Sequence, residues 1–224
     1  KGRILVLRPD ITVPIARLVA TRMELKSEQR LFYIQNSYAA AQPAIGRAGE
    51  FTQAGVELIG DSRCRADAEV IALAIKALKI CGLDTFAIDI GQVQYFKALV
   101  ADMGITDAQA DRLRHAVDSK DLISVEAVAD ELKLSEDAKA QIRALPSLFG
   151  GAEVFDKALA LTENRACADA VKNLRSVYDL LGEYGLASRL SVDFGMLHDI
   201  AYYSGIIFRG ITPGIGFPVV SGGR

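Results

Sequence analysis

The spacing of hydrophobic and polar residues predicts strands and one helix in the first part of the chain. Residues 31–34 form a short β-type run, and residues 51–59 alternate loosely between apolar and polar side chains. Alternation with a period of two is typical of a strand that is buried on one face. Residues 62–80 repeat apolar side chains at helical spacing, and the glycine at position 82 is a common helix stop. A further compact strand is predicted over residues 85–90.

The middle of the chain predicts helices almost throughout. From about residue 95 to residue 184 the sequence is polar on one helical face, and Thr106 with Gln109 matches a capping box. Ser135 marks another helix start, and Pro146 and the glycines at 150 and 151 interrupt the run. No fixed period recurs, so the pattern favours a helical insertion over a repeat array.

Strands are predicted again over residues 189–194 and 202–208, before a glycine-rich, hairpin-like end. Because helices do not alternate with strands, the pattern argues against a doubly wound sheet. We therefore predict an α+β fold, one mixed domain with a helical insertion. Its core comprises residues 1–94 and 185–224, and its helical insertion spans residues 95–184.

Composition and charge place the chain among folded globular proteins. Hydrophobic residues make up 50% of the 224-residue chain and charged residues 24%, which allows a substantial core. The formal net charge of −2 argues against a nucleic-acid partner, because protein surfaces that bind nucleic acids are normally basic. No apolar run approaches the roughly 20 residues of a membrane span, so no membrane association is expected. The strand-like run at residues 4–7 and the glycine-rich end resemble cuts inside a domain, so we expect the core to be truncated at both ends.

Cysteine and histidine usage argues against a metal centre. The three cysteines lie far apart without a C-x-x-C motif, which is typical of a reducing compartment and predicts a cytoplasmic location. The glycine-rich end lacks the G-K-[ST] sequence of a phosphate loop, so we expect neither metal nor cofactor. His198 with Asp193 or Asp199 suggests acid–base chemistry, but no nucleophile motif such as G-x-S-x-G accompanies them. A structural or surface role is favoured for that histidine.

A polar pair follows the first apolar run. Pro9 fixes a bend, and Asp10 and Thr12 place a carboxylate and a hydroxyl two residues apart. In an extended chain the two side chains share a face, where they could hold an ammonium group. The alternative is structural, because an aspartate here can also cap the helix that follows.

A second polar set and a tyrosine pair complete the candidate chemistry. In a strand, Gln53, Gly55 and Glu57 share one face, with a glycine gap between an amide and a carboxylate. Glu57 could instead belong to a salt bridge. Tyr202 and Tyr203 would point to opposite faces of a strand, one edging a pocket and one packing inside, although paired tyrosines are also common in β cores. Together these residues favour a pocket for a small cationic or zwitterionic ligand.

The same residues carry a resemblance to a known family. In order and surroundings they resemble the core of class II aminoacyl-tRNA synthetases, and within that class the histidyl-tRNA synthetase branch. The matching stretches are Leu7-Arg8-Pro9-Asp10-Ile11-Thr12, Gly46-Arg47 with Glu50 to Gly60, Tyr202 to Phe208, and Gly222-Gly223-Arg224. The resemblance implies an antiparallel sheet that is flanked by helices and on which the amino acid lies. It implies histidine contacts for Asp10, Thr12, Gln53, Glu57, Tyr202 and Tyr203, with Arg47 as a further candidate.

The chain departs from the synthetase pattern at the positions that handle ATP. The resemblance places an arginine and then a glutamate before Pro43, where this sequence has Ala39 and Ala41. It places a second arginine four residues before the tyrosine pair, where this sequence has His198. Losing a guanidinium removes charge and paired hydrogen bonds that stabilise the forming adenylate, which lowers the rate by about a thousandfold or more. The resemblance with these losses implies a protein that is not an enzyme.

A synthetase-like chain with these losses resembles the regulatory subunits of ATP phosphoribosyltransferase, the non-catalytic partners in the first step of histidine biosynthesis. This resemblance implies assembly with the short-form catalytic subunit, self-association, and histidine binding for feedback inhibition. Two alternatives stay open: a divergent histidyl-tRNA synthetase, and a synthetase-like sensor of amino acids or tRNA. The ligand could also be another amino acid, because no spacing in the sequence singles out imidazole.

Overall fold

The computed structural model divides the chain into two compact units, Lys1–Ala66 and Asp67–Arg224. The residues that it describes are 2, 5–24, 27–40, 48–197 and 202–224. Within these residues, the first unit contains a two-stranded sheet and the second a five-stranded sheet.

The first unit consists of helix α1 (Thr12–Arg22) and a hairpin of strands β1 (Gln29–Tyr38) and β2 (Glu50–Ile59). The two strands pair antiparallel, with Tyr33 opposite Gly55. Both predicted strands are confirmed, and the first is longer than its apolar run. The face that carries Glu57 is partly buried, whereas the opposite face is more open and leaves Phe32 80% exposed. The hairpin therefore presents the predicted polar set on its more protected face.

The apolar run at the start of the chain is not a strand in its described part. Leu5, Val6 and Leu7 belong to no helix or strand and are 91%, 80% and 70% exposed. A strand needs a neighbour that satisfies its backbone N–H and C=O groups, and no described strand pairs with this run. The predicted strand is therefore wrong for these three residues, and Ile4 lies outside the described residues.

Helix α2 (Cys64–Ile80) confirms the helix predicted from apolar spacing. It ends at a turn in which Gly82 has a φ of +86°, a left-handed conformation that glycine adopts without strain. Strand β3 (Ala87–Gln92) follows and starts slightly later than predicted.

The middle of the chain folds as a helical lobe of six helices, which confirms the predicted helical content. The helices are α3 (Val93–Ala101), α4 (Asp107–Asp118), α5 (Leu122–Glu131), α6 (Glu136–Ala144), α7 (Glu153–Ala160) and α8 (Arg165–Glu183). Thr106 and Gln109 form the predicted capping box, and Ser135 Oγ accepts the N–H of Ala138 at the start of α6. A short 3-10 turn contains Pro146, where a break was expected.

The sheet of the second unit is completed by β4 (Phe149–Gly150), β5 (Leu190–Asp193), β6 (Ile206–Ile211) and β7 (Val220–Gly223). The strand order is β4-β5-β3-β6-β7, with β3 and β5 parallel and the other neighbours antiparallel. One face is apolar and buried, and it includes Ile88, Ile90 and Phe208. The antiparallel pair β6–β7 confirms the hairpin-like end.

Candidate functional site

The polar cluster of the first unit is centred on Glu57. Thr12 Oγ1, at the start of α1, donates a hydrogen bond of 2.7 Å to Glu57 Oε1 on β2. Burial raises the pKa of Glu57 above its usual value, the hydrogen bond from Thr12 opposes this rise, and the charge of the Asp10 carboxylate adds to it. The structure therefore brings Asp10, Thr12 and Glu57 together in one polar cluster.

Asp10 reaches this cluster in a conformation that differs from the prediction. The residue after it has φ −111° and ψ −17°, and α1 starts at Thr12, so the chain is not extended here. Asp10 Oδ1 accepts the N–H of Val13 at 3.0 Å, one of the helix-start N–H groups that lack a partner inside the helix. The prediction of an extended pair is wrong, and the alternative of a helix cap is confirmed.

The expected glycine gap on β2 is filled by a tyrosine. A Cβ atom on Gly55 would lie 2.3 Å from Tyr33 Cζ, so the ring of Tyr33 covers the glycine. Gln53 Nε2 donates to Tyr33 Oη at 3.0 Å, and Ser37 Oγ donates to Gln53 Oε1 at 3.2 Å. Tyr33 and Ser37 were missed from the sequence. No local signal in the sequence identifies the tyrosine, because its place opposite Gly55 depends on the register of β1 against β2.

The tyrosine pair belongs to the second unit and precedes β6. The rings of Tyr202 and Tyr203 lie edge to face, with centroids 5.0 Å apart and an interplanar angle of 67°. They do not point to opposite faces, because the chain is not in a strand here. Tyr203 packs against a buried apolar cluster, whereas Tyr202 is 52% exposed, so the expected division into a packed and an open ring holds. The apolar cluster consists of Val93, Met196 and Ile207.

The last residue of the Gly222-Gly223-Arg224 stretch holds residues 202–205, which are called the tyrosine segment below. Arg224 C=O accepts the N–H groups of Ser204 and Gly205 at 2.6 and 3.1 Å. The Arg224 guanidinium pairs with Asp67, and its Nε lies 3.0 Å from Asp67 Oδ1. This contribution of Arg224 was not predicted from the sequence.

Three of the predicted positions lie outside the described residues, namely Arg47, Ala41 and His198. Ala39 is described, and its backbone N–H donates to Gly49 C=O at 2.9 Å. Asp193, the acidic partner considered for His198, is buried, and Lys120 Nζ lies 2.9 Å from its Oδ2. That ion pair favours a structural role for Asp193.

Two absences apply to the part of the chain that the structure describes. No cluster of three or more histidine, cysteine, aspartate or glutamate side chains there is arranged to hold a metal ion. In the same residues, no helix combines the length and the apolar character that crossing a membrane requires.

The mixed fold of strands and helices is that of a class II aminoacyl-tRNA synthetase-like core. The chain belongs to the histidyl-tRNA synthetase family, whose model matches residues 1–224.

Comparison with individual proteins shows which members of this family the chain is similar to. The chain is 45% identical, over 225 aligned positions, to an ATP phosphoribosyltransferase regulatory subunit from Acetivibrio thermocellus, with 100% of the chain and 54% of that protein covered. It is similar to the structure of an ATP phosphoribosyltransferase regulatory subunit/histidyl-tRNA synthetase from Bacillus halodurans, at 39% identity and a TM-score of 0.87, covering 96% of this chain and 56% of that one. The chain thus spans about half the length of these relatives.

A third comparison shows the fold alone. The ATP phosphoribosyl transferase (HisG:HisZ) complex from Thermotoga maritima contains a chain that matches with a TM-score of 0.75 at 16% identity, covering 97% of this chain and 75% of that one.

Proposed function

We propose that this chain is part of a non-catalytic regulatory subunit of ATP phosphoribosyltransferase that binds histidine for feedback inhibition. The observation that carries the histidine part is the cluster of Asp10, Thr12 and Glu57. Burial raises the pKa of Glu57 there, and the charge of the nearby Asp10 carboxylate adds to this rise. The relatives named as this subunit support the assignment to the assembly.

Histidine suits the cluster because its α-ammonium group would relieve the repulsion between the carboxylates. A bound cation favours the ionised form of Glu57, so affinity and ionisation support each other. Tyr33 and Ser37 already orient the side chain of Gln53. Its amide nitrogen and oxygen can each make a further hydrogen bond to a polar ligand. Tyr202 and Tyr203 are proposed as further histidine contacts, as is Arg47, on the family resemblance.

The proposed subunit does not activate histidine with ATP. Ala39, Ala41 and His198 stand where the resemblance implies two arginines and a glutamate. A methyl group offers neither charge nor hydrogen bonds to a phosphate, whereas adenylate formation depends on fixed positive charge. These residues support a protein that binds histidine but does not activate it with ATP.

Feedback regulation requires a coupling free energy between the histidine site and the surface that binds the catalytic subunit. Histidine must bind the inhibited assembly more tightly than the active one, because equal affinity would shift no equilibrium. The proposed partner is the short-form catalytic subunit, with self-association of the regulatory chain, in the cytoplasm.

Calorimetric titration of histidine, with and without the short-form catalytic subunit, tests this proposal. We expect saturable binding, an affinity that changes when the catalytic subunit is present, and no comparable binding of leucine as a matched amino-acid control. In an activity assay, the catalytic subunit should need this protein and should lose activity as histidine is added. Failure of histidine to bind in either titration would overturn the feedback function.

The family match to histidyl-tRNA synthetases keeps a second candidate, a divergent synthetase. Histidine-dependent exchange between ATP and pyrophosphate distinguishes the two. We expect no exchange above the background without histidine. Clear exchange would reject the regulatory proposal in favour of the synthetase.

A further inference from the structure

The tyrosine segment presents three consecutive carbonyl groups to the start of helix α3. Lys97 Nζ donates to Tyr203 C=O at 3.0 Å, and Gln94 Nε2 donates to Ser204 C=O at 2.7 Å. The backbone N–H of Val93 donates to Gly205 C=O at 3.1 Å. The first turn of a helix has N–H groups without intrahelical partners, and here one of them is used to hold the segment.

The opposite side of the same segment is fixed by the end of β7. Both N–H groups that follow Tyr203 donate to Arg224 C=O. The ring of Tyr203 lies against Gly223, where a Cβ atom would be 2.8 Å from Tyr203 Cε1. The ring therefore has little room to adjust independently, and a shift of its backbone relative to β7 must move it.

Helix α3 is in turn connected to the longest helix of the lobe. Gln92 Oε1 accepts the N–H of Gln94 at 3.2 Å, and Gln92 Nε2 donates to Asn173 Oδ1 on α8 at 2.8 Å. Gln92 is 4% exposed, so its amide cannot readily exchange these partners for water. A continuous set of hydrogen bonds thus joins α8, the start of α3 and the backbone of Tyr203.

We infer that Gln94 and Lys97 are positioning residues for the tyrosine pair, and that Gln92 and Asn173 couple its position to the helical lobe. The inference rests on the proposed histidine site and adds the route by which a change in the lobe alters it. The histidine-bound and histidine-free states then favour different arrangements of α3. The packing of the lobe therefore changes the affinity for histidine, and histidine binding changes the packing of the lobe.

Substitution of Lys97 tests the positioning role. Lys97→Met keeps the apolar stem of the side chain and removes the ammonium donor, whereas Lys97→Arg restores a donor. We expect Lys97→Met and Gln94→Met to weaken histidine binding at least fivefold in calorimetry, and Lys97→Arg to stay within about twofold of the parent protein. Lys172→Met is the matched control, because this exposed lysine on α8 has its Nζ 3.9 Å from Asp169, and it should leave affinity unchanged.

A readout without ligand separates this inference from the proposed function. In protein labelled with 3-fluorotyrosine, the Tyr203 resonance is assigned by its loss in Tyr203→Phe. It should shift in Lys97→Met and Asn173→Leu but not in Lys172→Met. If the parent protein fails to bind histidine, the proposed function fails, and the resonance alone decides the positioning role.

Three results would overturn the inference. The first is an unchanged resonance in Lys97→Met. The second is unchanged histidine affinity in Lys97→Met when the parent protein binds. The third is an unchanged histidine affinity together with an unchanged Tyr203 resonance in Asn173→Leu, which would show that the lobe is not coupled to the tyrosine pair.

Discussion

Thr12 Oγ1 donates a 2.7 Å hydrogen bond to Glu57 Oε1, so the first residue of α1 is joined to the second strand of the hairpin. This bond favours the ionised carboxylate, whereas burial and the neighbouring Asp10 favour the neutral one, and the balance leaves the pKa of Glu57 raised. Such an arrangement is suited to a cationic ligand, because a positive charge beside Glu57 would favour its ionised form.

Glu57→Gln should change the dependence of stability on pH. Because the pKa of Glu57 is raised in the folded state, the folded protein binds the proton more tightly than the unfolded chain does. The free energy of unfolding of the parent protein therefore falls as pH rises from the usual glutamate value of 4.5 through the raised folded value. Glutamine cannot ionise and can still accept the hydrogen bond from Thr12. The melting temperature of Glu57→Gln, relative to that of the parent protein, should therefore increase across that pH window and stay constant above it.

Melting curves recorded at intervals between about pH 4 and pH 8 measure this difference. Glu163→Gln, at an exposed glutamate, is the control and should show no such trend. A difference between Glu57→Gln and the parent that does not change with pH would contradict the raised pKa.

Two substitutions of Asp10 separate its capping role from its charge. Asp10→Asn keeps an oxygen that can accept the N–H of Val13, whereas Asp10→Ala removes both cap and charge. We expect Asp10→Ala to reduce the free energy of unfolding by about 1 kcal/mol and Asp10→Asn to change it by only about a few tenths. Both should weaken histidine binding, by about tenfold.

Denaturant unfolding and histidine calorimetry on the same samples give the two quantities. If Asp10→Asn binds histidine as tightly as the parent protein, Asp10 caps α1 and takes no part in ligand binding.

Gly55→Ala should destabilise the hairpin through Tyr33. The new methyl group would lie 2.3 Å from Tyr33 Cζ, which forces the ring away and breaks its 3.0 Å bond from Gln53. Overpacking of this kind costs about 1–3 kcal/mol of unfolding free energy. In a Tyr33→Ala background the same change should cost much less, because the ring is absent.

A double-mutant cycle in urea measures this coupling. Gly182→Ala is the control, since nothing lies within 4 Å of its Cβ position, and in α8 alanine should be neutral or mildly stabilising. Equal losses for Gly55→Ala with and without Tyr33 would show that the ring is not the obstacle.

Much of the fold follows from local sequence patterns, whereas the details of the site do not. The helices around Thr106 and Ser135 are predictable because capping acts within a few residues. The predicted conformation at Asp10 is wrong because the same short polar motif is compatible with an extended chain and with a helix cap. Only the position at which α1 starts distinguishes the two. The ring of Tyr33 over Gly55 depends on strand register, which a single strand does not encode.

The tyrosine pair illustrates a second limit. Its resemblance to a family motif identified the residues, but alternation along a strand assigned their directions wrongly because β6 starts at Ile206. The contacts of Lys97 and Arg224 with the segment connect residues far apart in sequence. No local pattern carries that information.

The parallel pairing of β3 with β5 also has a kinetic consequence. Ile88 and Leu190 are neighbours in the sheet, yet the entire helical lobe separates them along the chain. Closing so long a connection is entropically unfavourable while the lobe is unfolded, and contacts between distant residues slow folding. Once α3 to α8 have formed, they shorten the path between the two strands. Early folding of the lobe would therefore lower the entropic cost of closing the centre of the sheet.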